Sequence, residues 1–340
     1  MEIPGKMKAI VLEQYNPNIV RALRSMKVDE LATPAPPDNG VLVKVEASPV
    51  NPSDIAFMLG GYNIVKPLPA IPGFEGVGKI VATGKDIDPS FMGERVVFFT
   101  QDDHGGAWSE YVALREDQVF SVSIELPVEQ AACLFVNPFT AYALFEHIHN
   151  NQHKAIIQSA ANGQVGRFIR FFAGDHQVEV INLVRKKEHV AQMQKEGCRY
   201  VLNIFEDDFE EKLGELSEKL NATAAIDAVG GELTGKLLNA MPAGSEVIVY
   251  GGLSGMPVSG IEPLGLIFQN KILSGFNLSD WLAEKSREEF KKISGDIQLL
   301  FMEKKLETKI SQVYEMDDFY NGLRSYISDM SAGKILLQMG

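Results

Sequence analysis

The stretch IIQSAANGQVGRFIRFF reads as strand, tight turn and helix. Within it Ala161, Gly163 and Gly166 match the spacing G-x-G-x-x-G, with alanine in the first place. That spacing suits one chemistry. A glycine at 163 lets the backbone approach a pyrophosphate, and one at 166 lets the helix sit close to the strand. Gln164 and Val165 open the helix, whose free N–H groups and positive dipole end would face the anion. Val165, Phe168, Ile169 and Phe172 are expected to give that helix its buried face.

The next strand bears on which dinucleotide binds. NAD sites place an acidic residue roughly 20 residues past the motif. This chain reads INLVRKKEH there, with Arg185 nineteen residues after Gly166. A carboxylate would repel a 2′-phosphate, whereas a guanidinium grips it through two parallel charge-assisted bonds. Lys186 and Lys187 add charge nearby, so NADPH is the expected cofactor. Asn203, Gly251, Phe276 and Leu278 fall at the ends of later strand-like runs, where ligands bind in an open parallel sheet.

These residues need a scaffold, and its outline is legible. Up to about residue 125 the runs MKAIVLEQY, GVLVKVEAS, GVGKIVATG and GERVVFF are strand-like, separated by proline and glycine clusters. NPSDIAFMLGG reads as a short helix that Ser53 or Asp54 could cap. From Pro127 the texture changes. VEQAACLFVNPFTAYALFEHI reads as helix interrupted at Asn137-Pro138, and then KAIIQSA, VEVINLV, RYVLN, AAIDAV, SEVIVYGG and KILSGFNL alternate with helical patterns. Phe205, Phe209, Leu213, Leu216 and Leu220 mark one face of such a helix. Six strands with helical crossovers predict an α/β fold, a parallel doubly wound sheet. It would occupy residues 127–278, inserted between 1–126 and 279–340 of a β-rich domain. The edge near GMPVSG and KILSGF could pair with a second copy, giving a homodimer.

Composition excludes several classes. The 340 residues are 45% hydrophobic and 23% charged, which rules out intrinsic disorder. No apolar run approaches the ~18 residues of a spanning helix, so no membrane role is expected. A net charge of −13 opposes attraction to polyanions, so nucleic acid is not an expected partner. Cys133 and Cys198 cannot form a disulfide framework or a four-thiolate zinc site. The opening MEIPGKMKAIVLEQY lacks a signal-peptide core, and a cytoplasmic location is expected. His147, His149 and His153 suit a helix C-terminus better than a metal, and EDDFEEKLGELSEK reads as a solvated helix face.

From about Met7 to Gly340 the arrangement resembles the medium-chain dehydrogenase/reductase superfamily. The resemblance implies a GroES-like β-rich catalytic domain embracing a Rossmann domain. Zinc alcohol dehydrogenases of that superfamily take their catalytic metal from a cysteine, a histidine in Gly-His-Glu and a second cysteine. The matching stretches here are NPSD, GFEG and VNPFTAY. Asn51, Phe74 and Asn137 stand at the ligand positions, and only Glu75 survives. The four-cysteine structural zinc lobe is missing too, since Gly93 to Leu126 contains no cysteine. No metal is expected.

That restricts the chemistry. A metal can lower the pKa of bound water from ~15.7 to ~7, worth ~12 kcal/mol. A single hydrogen-bond donor contributes ~3–4 kcal/mol. Metal-free hydride transfer therefore favours a small-molecule acceptor that is already electron-poor, a quinone or a double bond conjugated to a carbonyl. The zinc-free branch fits in detail: NPSDIAFMLGGY, PGFEGVGKIVATG, NPFTAYALFE, YGGLSGMPV and GFNLSDWL look like segments of quinone oxidoreductase-like proteins and 2-enoyl thioester reductases. By that resemblance Tyr62 matches the proton-donating tyrosine, Asn51 orients cofactor or acceptor oxygen, and Thr140 contacts the nicotinamide side. Asp54 and Glu75 are paired by the resemblance alone, and Trp281 is read either as a wall of the substrate cleft or as packing. An NADPH-binding sensor or scaffold and a zinc alcohol dehydrogenase are the rival readings.

Overall fold

A computed structural model of the protein describes residues 2–102 and 105–340. The opening run forms strand β1 (Lys6–Leu12), which pairs antiparallel with β2 (Met26–Ala32). Five more strands follow: β3 (Gly40–Pro49), β4 (Glu75–Thr83), β5 (Arg95–Phe99), β6 (Tyr111–Arg115) and β7 (Val119–Ser121). The Rossmann-type strands are β8 (Ala155–Gln158), β9 (Glu179–Val184), β10 (Tyr200–Asn203), β11 (Ala224–Asp227), β12 (Glu246–Val249) and β13 (Ile272–Gly275). The chain ends with β14 (Ile310–Glu315) and β15 (Lys334–Gln338).

Contacts divide the chain into two units, Met1–Asn137 with Ser286–Gly340, and Pro138–Lys285. In the first, a sheet runs β14-β15-β3-β4-β5-β7, with β6 also on β3. β3 is the hub: β15, β4 and β6 all pair with it antiparallel, which brings the last strand beside Ala47–Pro49. Its inward residues Val41, Val43 and Val45 join Phe57, Phe74, Trp108 and Leu337 in one buried apolar core. The short helix Val128–Ala132 packs on β3 and β4 and so belongs to this unit.

In the second unit the order is β10-β9-β8-β11-β12-β13, every neighbouring pair parallel. These are the six strands expected. The chain winds outward one way from β8 and the other way from β11, so the strand order reverses between those two, where such sheets bind ligands.

Three local expectations need correction. Phe205 lies outside its helix, which spans Phe209–Leu220. Asn203 accepts the Phe205 N–H at 2.9 Å, making a turn there, and Phe205 is 73% exposed. The helical stretch after Pro127 breaks around Cys133, and a helix runs Val136–Asn150 straight through Asn137-Pro138. Proline is tolerated because the first turn needs no N–H donors. GMPVSG forms no strand, and only KILSGF supplies the sheet edge.

Candidate active site

The turn after β8 is built as its spacing requires. A Cβ on Gly166 would stand 2.5 Å from the Ala161 carbonyl oxygen, so only glycine lets the helix Gln164–Asp175 pack this close. A Cβ on Gly163 would meet the Ala160 oxygen at 3.1 Å, and Gly163 donates its N–H to that oxygen at 2.8 Å. Ala160 itself holds a φ of 48°, a left-handed conformation that costs a non-glycine residue ~1–2 kcal/mol. The helix carries no acidic residue in its first turn, which leaves its N-terminus open to an anion. Phe168, Ile169 and Phe172 are buried as expected, but Val165 is only half-buried, at the helix mouth.

Two unforeseen groups hold this turn. Arg170 Nη1 donates to the carbonyls of Ala161 and Gly166, and Arg167 Nη2 donates to Asn162 Oδ1 at 3.2 Å. Asp227, fully buried at the end of β11, clamps the two strands flanking the reversal. It accepts bonds from Ser159 Oγ (2.6 Å), Thr234 Oγ1 (2.6 Å), and the N–H groups of Val229 (2.8 Å) and Gly230 (3.2 Å). The arginines were readable as a pair three apart on the helix, whereas nothing around Asp227 marked it in the sequence.

Arg185 follows β9 directly and is exposed, and exposed Lys186 caps the next helix, Lys187–Lys195. Asn203 ends β10 and is buried. Gly251 follows β12, where a Cβ would lie 2.8 Å from the Ala228 oxygen, so packing alone demands glycine there. Phe276 and Leu278 follow β13 and are half-buried. Phe276 and Trp281 border a cavity of about 470 Å³ that Leu144 and Ile248 also line. Trp281 is held by Glu146, which accepts its Nε1–H at 3.0 Å and Lys285 Nζ at 2.8 Å. Thr140 sits inside the helix Val136–Asn150 and is buried. His147 and His153 both bond Glu246 Oε1, at 2.6 and 3.1 Å, so a carboxylate engages them as well as the helix end.

In the other unit a polar network lies beneath the apolar core. Asn51, rather than Ser53 or Asp54, occupies the N-cap of helix Pro52–Met58, and Asp54 reaches back to accept the Asn51 N–H at 2.7 Å. The Asn51 carboxamide is bound at both ends: Oδ1 accepts from Lys334 Nζ, and Nδ2 donates to Glu75 Oε1 at 2.7 Å. Glu75 Oε2 accepts the Val136 N–H at 2.8 Å. One carboxylate thereby draws together Asn51, the Phe74-Glu75 pair and the Val136-Asn137 pair. Lys334 Nζ also donates to the Val50 carbonyl at 3.1 Å.

Asn51, Asp54, Glu75 and Lys334 are all nearly or fully buried. Burial pushes Asp54 up to about 7 and raises Glu75, while it lowers Lys334. Tyr62 stacks on Phe74, with ring centroids 5.3 Å apart and planes at 27°. Its hydroxyl accepts from Gln101 Nε2 at 3.1 Å. Burial raises the phenol above its usual 10.0, and the charge of Asp54 adds to this, against the Gln101 bond. The Asn137 carboxamide is 7% exposed, and its Nδ2 has no hydrogen-bond partner among the described residues.

As a donor set for a metal these three positions are poor. Phe74 offers no lone pair, and the Asn51 oxygen already accepts from an ammonium group. Among the described residues no group of three His, Cys, Asp or Glu could hold a metal ion.

Residues 37–124 match the family model of the alcohol dehydrogenase GroES-like domain. The chain is 30% identical to the mitochondrial enoyl-acyl-carrier-protein reductase of Xenopus tropicalis, over 93% of its own length and 92% of the relative's. It belongs to the quinone oxidoreductase and enoyl reductase branch of the medium-chain dehydrogenase/reductase superfamily. The protein is therefore an oxidoreductase enzyme with a GroES-like domain. A presumed NADPH:quinone reductase of Mesorhizobium loti superposes with a TM-score of 0.92 at 31% identity, covering 99% of this chain and 100% of that one. A mutant enoyl thioester reductase of Candida tropicalis shares the fold of this chain, with a TM-score of 0.79 at 21% identity over 98% and 99% of the two chains. Among the described residues no helix is long and apolar enough to cross a membrane.

Proposed function

We propose that the protein is an NADPH-dependent reductase that needs no metal ion and reduces an electron-poor acceptor, a quinone or an α,β-unsaturated carbonyl compound such as an enoyl thioester. The observation that carries this reading is the set Asn51, Phe74 and Asn137, drawn together by Glu75 and unsuited to ligating a metal. Without a Lewis acid, an acceptor that spreads incoming charge onto oxygen is the one whose barrier side chains can lower.

The turn at Gly163 and Gly166 fits a dinucleotide, since a side chain would crowd the backbone at 163 and collide with it at 166, and the helix mouth carries no opposing charge. Ala161, Gly163, Gln164, Val165 and Gly166 would hold the pyrophosphate, and Arg185 with Lys186 the 2′-phosphate. Thr140, Asn203, Gly251, Phe276 and Leu278 are proposed to line the rest. Bound there, NADPH supplies a hydride. The Tyr62 phenol, ordinarily near 10.0 and raised further by burial, holds its proton at neutral pH, and it is proposed to deliver that proton. Asn51 is fixed by Lys334 and Glu75, which favours an orienting role.

Loss of nicotinamide absorbance on mixing protein, NADPH and a panel of enones, quinones and enoyl thioesters tests the reading. Turnover with at least one class is expected. Tight NADPH binding with no acceptor consumed would sink it in favour of a sensor. Stoichiometric zinc in active protein would remove its metal-free part. We also propose a homodimer through β13, the outer strand of its sheet, where Ile272 is 54% exposed. Ile272→Asp should then halve the mass seen by light scattering.

A further inference from the structure

Asn137 is one of several buried side chains, Trp108 and Thr308 among them, that leave a polar atom unpaired among the described residues. Its carboxamide is 7% exposed, and its Nδ2 finds no partner among the described residues. Leaving a buried donor unpaired is costly, and nearly all buried donors in folded proteins are paired. The neighbouring groups show how easily it could have been otherwise. Asn51, equally buried, has its Oδ1 on Lys334 and its Nδ2 on Glu75. The Val136 N–H, one residue before Asn137, bonds Glu75 Oε2 at 2.8 Å. That bond pins the start of helix Val136–Asn150, so the side chain of Asn137 projects from a fixed backbone. A leucine of similar size would fill the space without the cost.

The reaction assigned above calls for such a donor. When a hydride adds to the β-carbon of an unsaturated carbonyl, the electrons of the C=C bond shift toward the carbonyl and its oxygen becomes an enolate oxygen. A proton added at the α-carbon then restores the saturated carbonyl. Between those events the negative charge sits on oxygen, where an oriented N–H in a water-poor site stabilises it. Resting on the reading of the protein as a reductase, we propose that Asn137 is a catalytic residue whose Nδ2–H donates to the acceptor's carbonyl oxygen. Tyr62 would keep the separate task of protonation, and Glu75 acts on Asn137 only through the Val136 N–H that it holds.

The role has a signature that ordinary packing lacks: removing the amide should cost activity and not stability. For Asn137→Leu we expect a melting temperature equal to or above that of the parent, an NADPH Kd within threefold, and kcat for an enone lowered by ~10²–10³-fold. The loss should shrink along a series of increasingly electron-poor acceptors, which need the donor less. Asn137→Ala removes the amide without added bulk and carries the same expectation for kcat and Kd, so it decides the matter if the leucine variant does not fold. A folded variant with kcat within threefold of the parent would overturn the proposal, as would an equal loss across the whole acceptor series. The unsubstituted protein separates the two levels: if none of the acceptors makes it consume NADPH, the reductase reading itself has failed.

Discussion

The ring of Tyr62 lies stacked on that of Phe74, 5.3 Å between centroids and 27° between planes. Phe74 precedes Glu75, whose carboxylate gathers Asn51 and Val136, so the phenol rests on the same backbone that organises the polar network. An aromatic shelf fixes the ring and leaves its hydroxyl as the working end, held by Gln101 Nε2 at 3.1 Å.

Tyr62→Phe keeps the stack and removes only the hydroxyl. Its kcat with an enoyl thioester should fall by ~10²–10⁴-fold, the usual range for a general acid. With a quinone the fall should be small, because the product phenolate takes its proton from water. NADPH binding should hold steady, as read by nicotinamide fluorescence. Equal losses with both acceptors would argue that the tyrosine shapes the site and carries no proton.

Arg185 stands exposed at the end of β9, with Lys186 beside it. A hydrogen bond to a charged group contributes ~1.5–3 kcal/mol, so Arg185→Ala should raise the Kd for NADPH by ~10–100-fold. The Kd for NADH, which lacks the 2′-phosphate, should change by less than ~2-fold. Titration calorimetry with both cofactors checks this, and parallel weakening of the two would remove Arg185 from the phosphate site.

Much of this was legible beforehand, and the reasons differ by element. Strands β8 to β12 of the second unit are mostly buried, so they read as short apolar runs, IIQ and INLV among them. Gly163 and Gly166 were readable because their need is local, a backbone that leaves little room for a Cβ at 163 and none at 166. Strand β2 was not, since MKVDELA mixes three charged residues with its apolar ones and buries only Met26. The bond from Lys334 to Asn51 spans 283 residues of sequence, and only the pairing of β15 with β3 brings the two together. No local pattern encodes such a contact. Phe205 misled for the opposite reason: it keeps the helical period but sits on a turn that Asn203 makes.

Asp54 should leave its mark on the pH dependence of stability. Burial is the largest cause of its rise from 3.8 to about 7, aided by the charge of Glu75 and opposed by the Asn51 N–H and Lys334. Between those values the folded protein holds a proton that the unfolded chain has released. The stability so conferred is complete below the unfolded value and is lost as pH climbs to about 7, beyond which it stays level. Glu75 shifts in the same direction. Lys334 is lowered, so its own burden is relieved only toward alkaline pH. Asp54→Asn cannot titrate. In urea unfolding at several pH values, parent stability minus variant stability should decline from about pH 4 to pH 7. A difference that is flat over that range would mean that Asp54 ionises normally in the folded protein.

Two glycines of one helix separate close packing from mere flexibility. A Cβ at Gly166 would lie 2.5 Å from the Ala161 oxygen and 2.9 Å from the Ala161 carbonyl carbon, whereas at Gly174 nothing lies within 4 Å. Both belong to the helix Gln164–Asp175. Gly166→Ala must push the helix off β8, at a cost of ~1–3 kcal/mol by the usual penalty for overpacking. Because the displaced helix mouth is the proposed pyrophosphate seat, the NADPH Kd should rise along with the loss of stability. Gly174→Ala should instead stabilise by ~0.4–1 kcal/mol through the helix preference of alanine and a less flexible unfolded chain. Its Kd should not move. Thermal melts with and without NADPH distinguish the two, since a ligand that still binds adds its own increment to the melting temperature. The increment should shrink for Gly166→Ala and persist in full for Gly174→Ala. If Gly166→Ala melts lower but keeps the whole NADPH increment, the turn is needed for the fold alone and the pyrophosphate lies elsewhere.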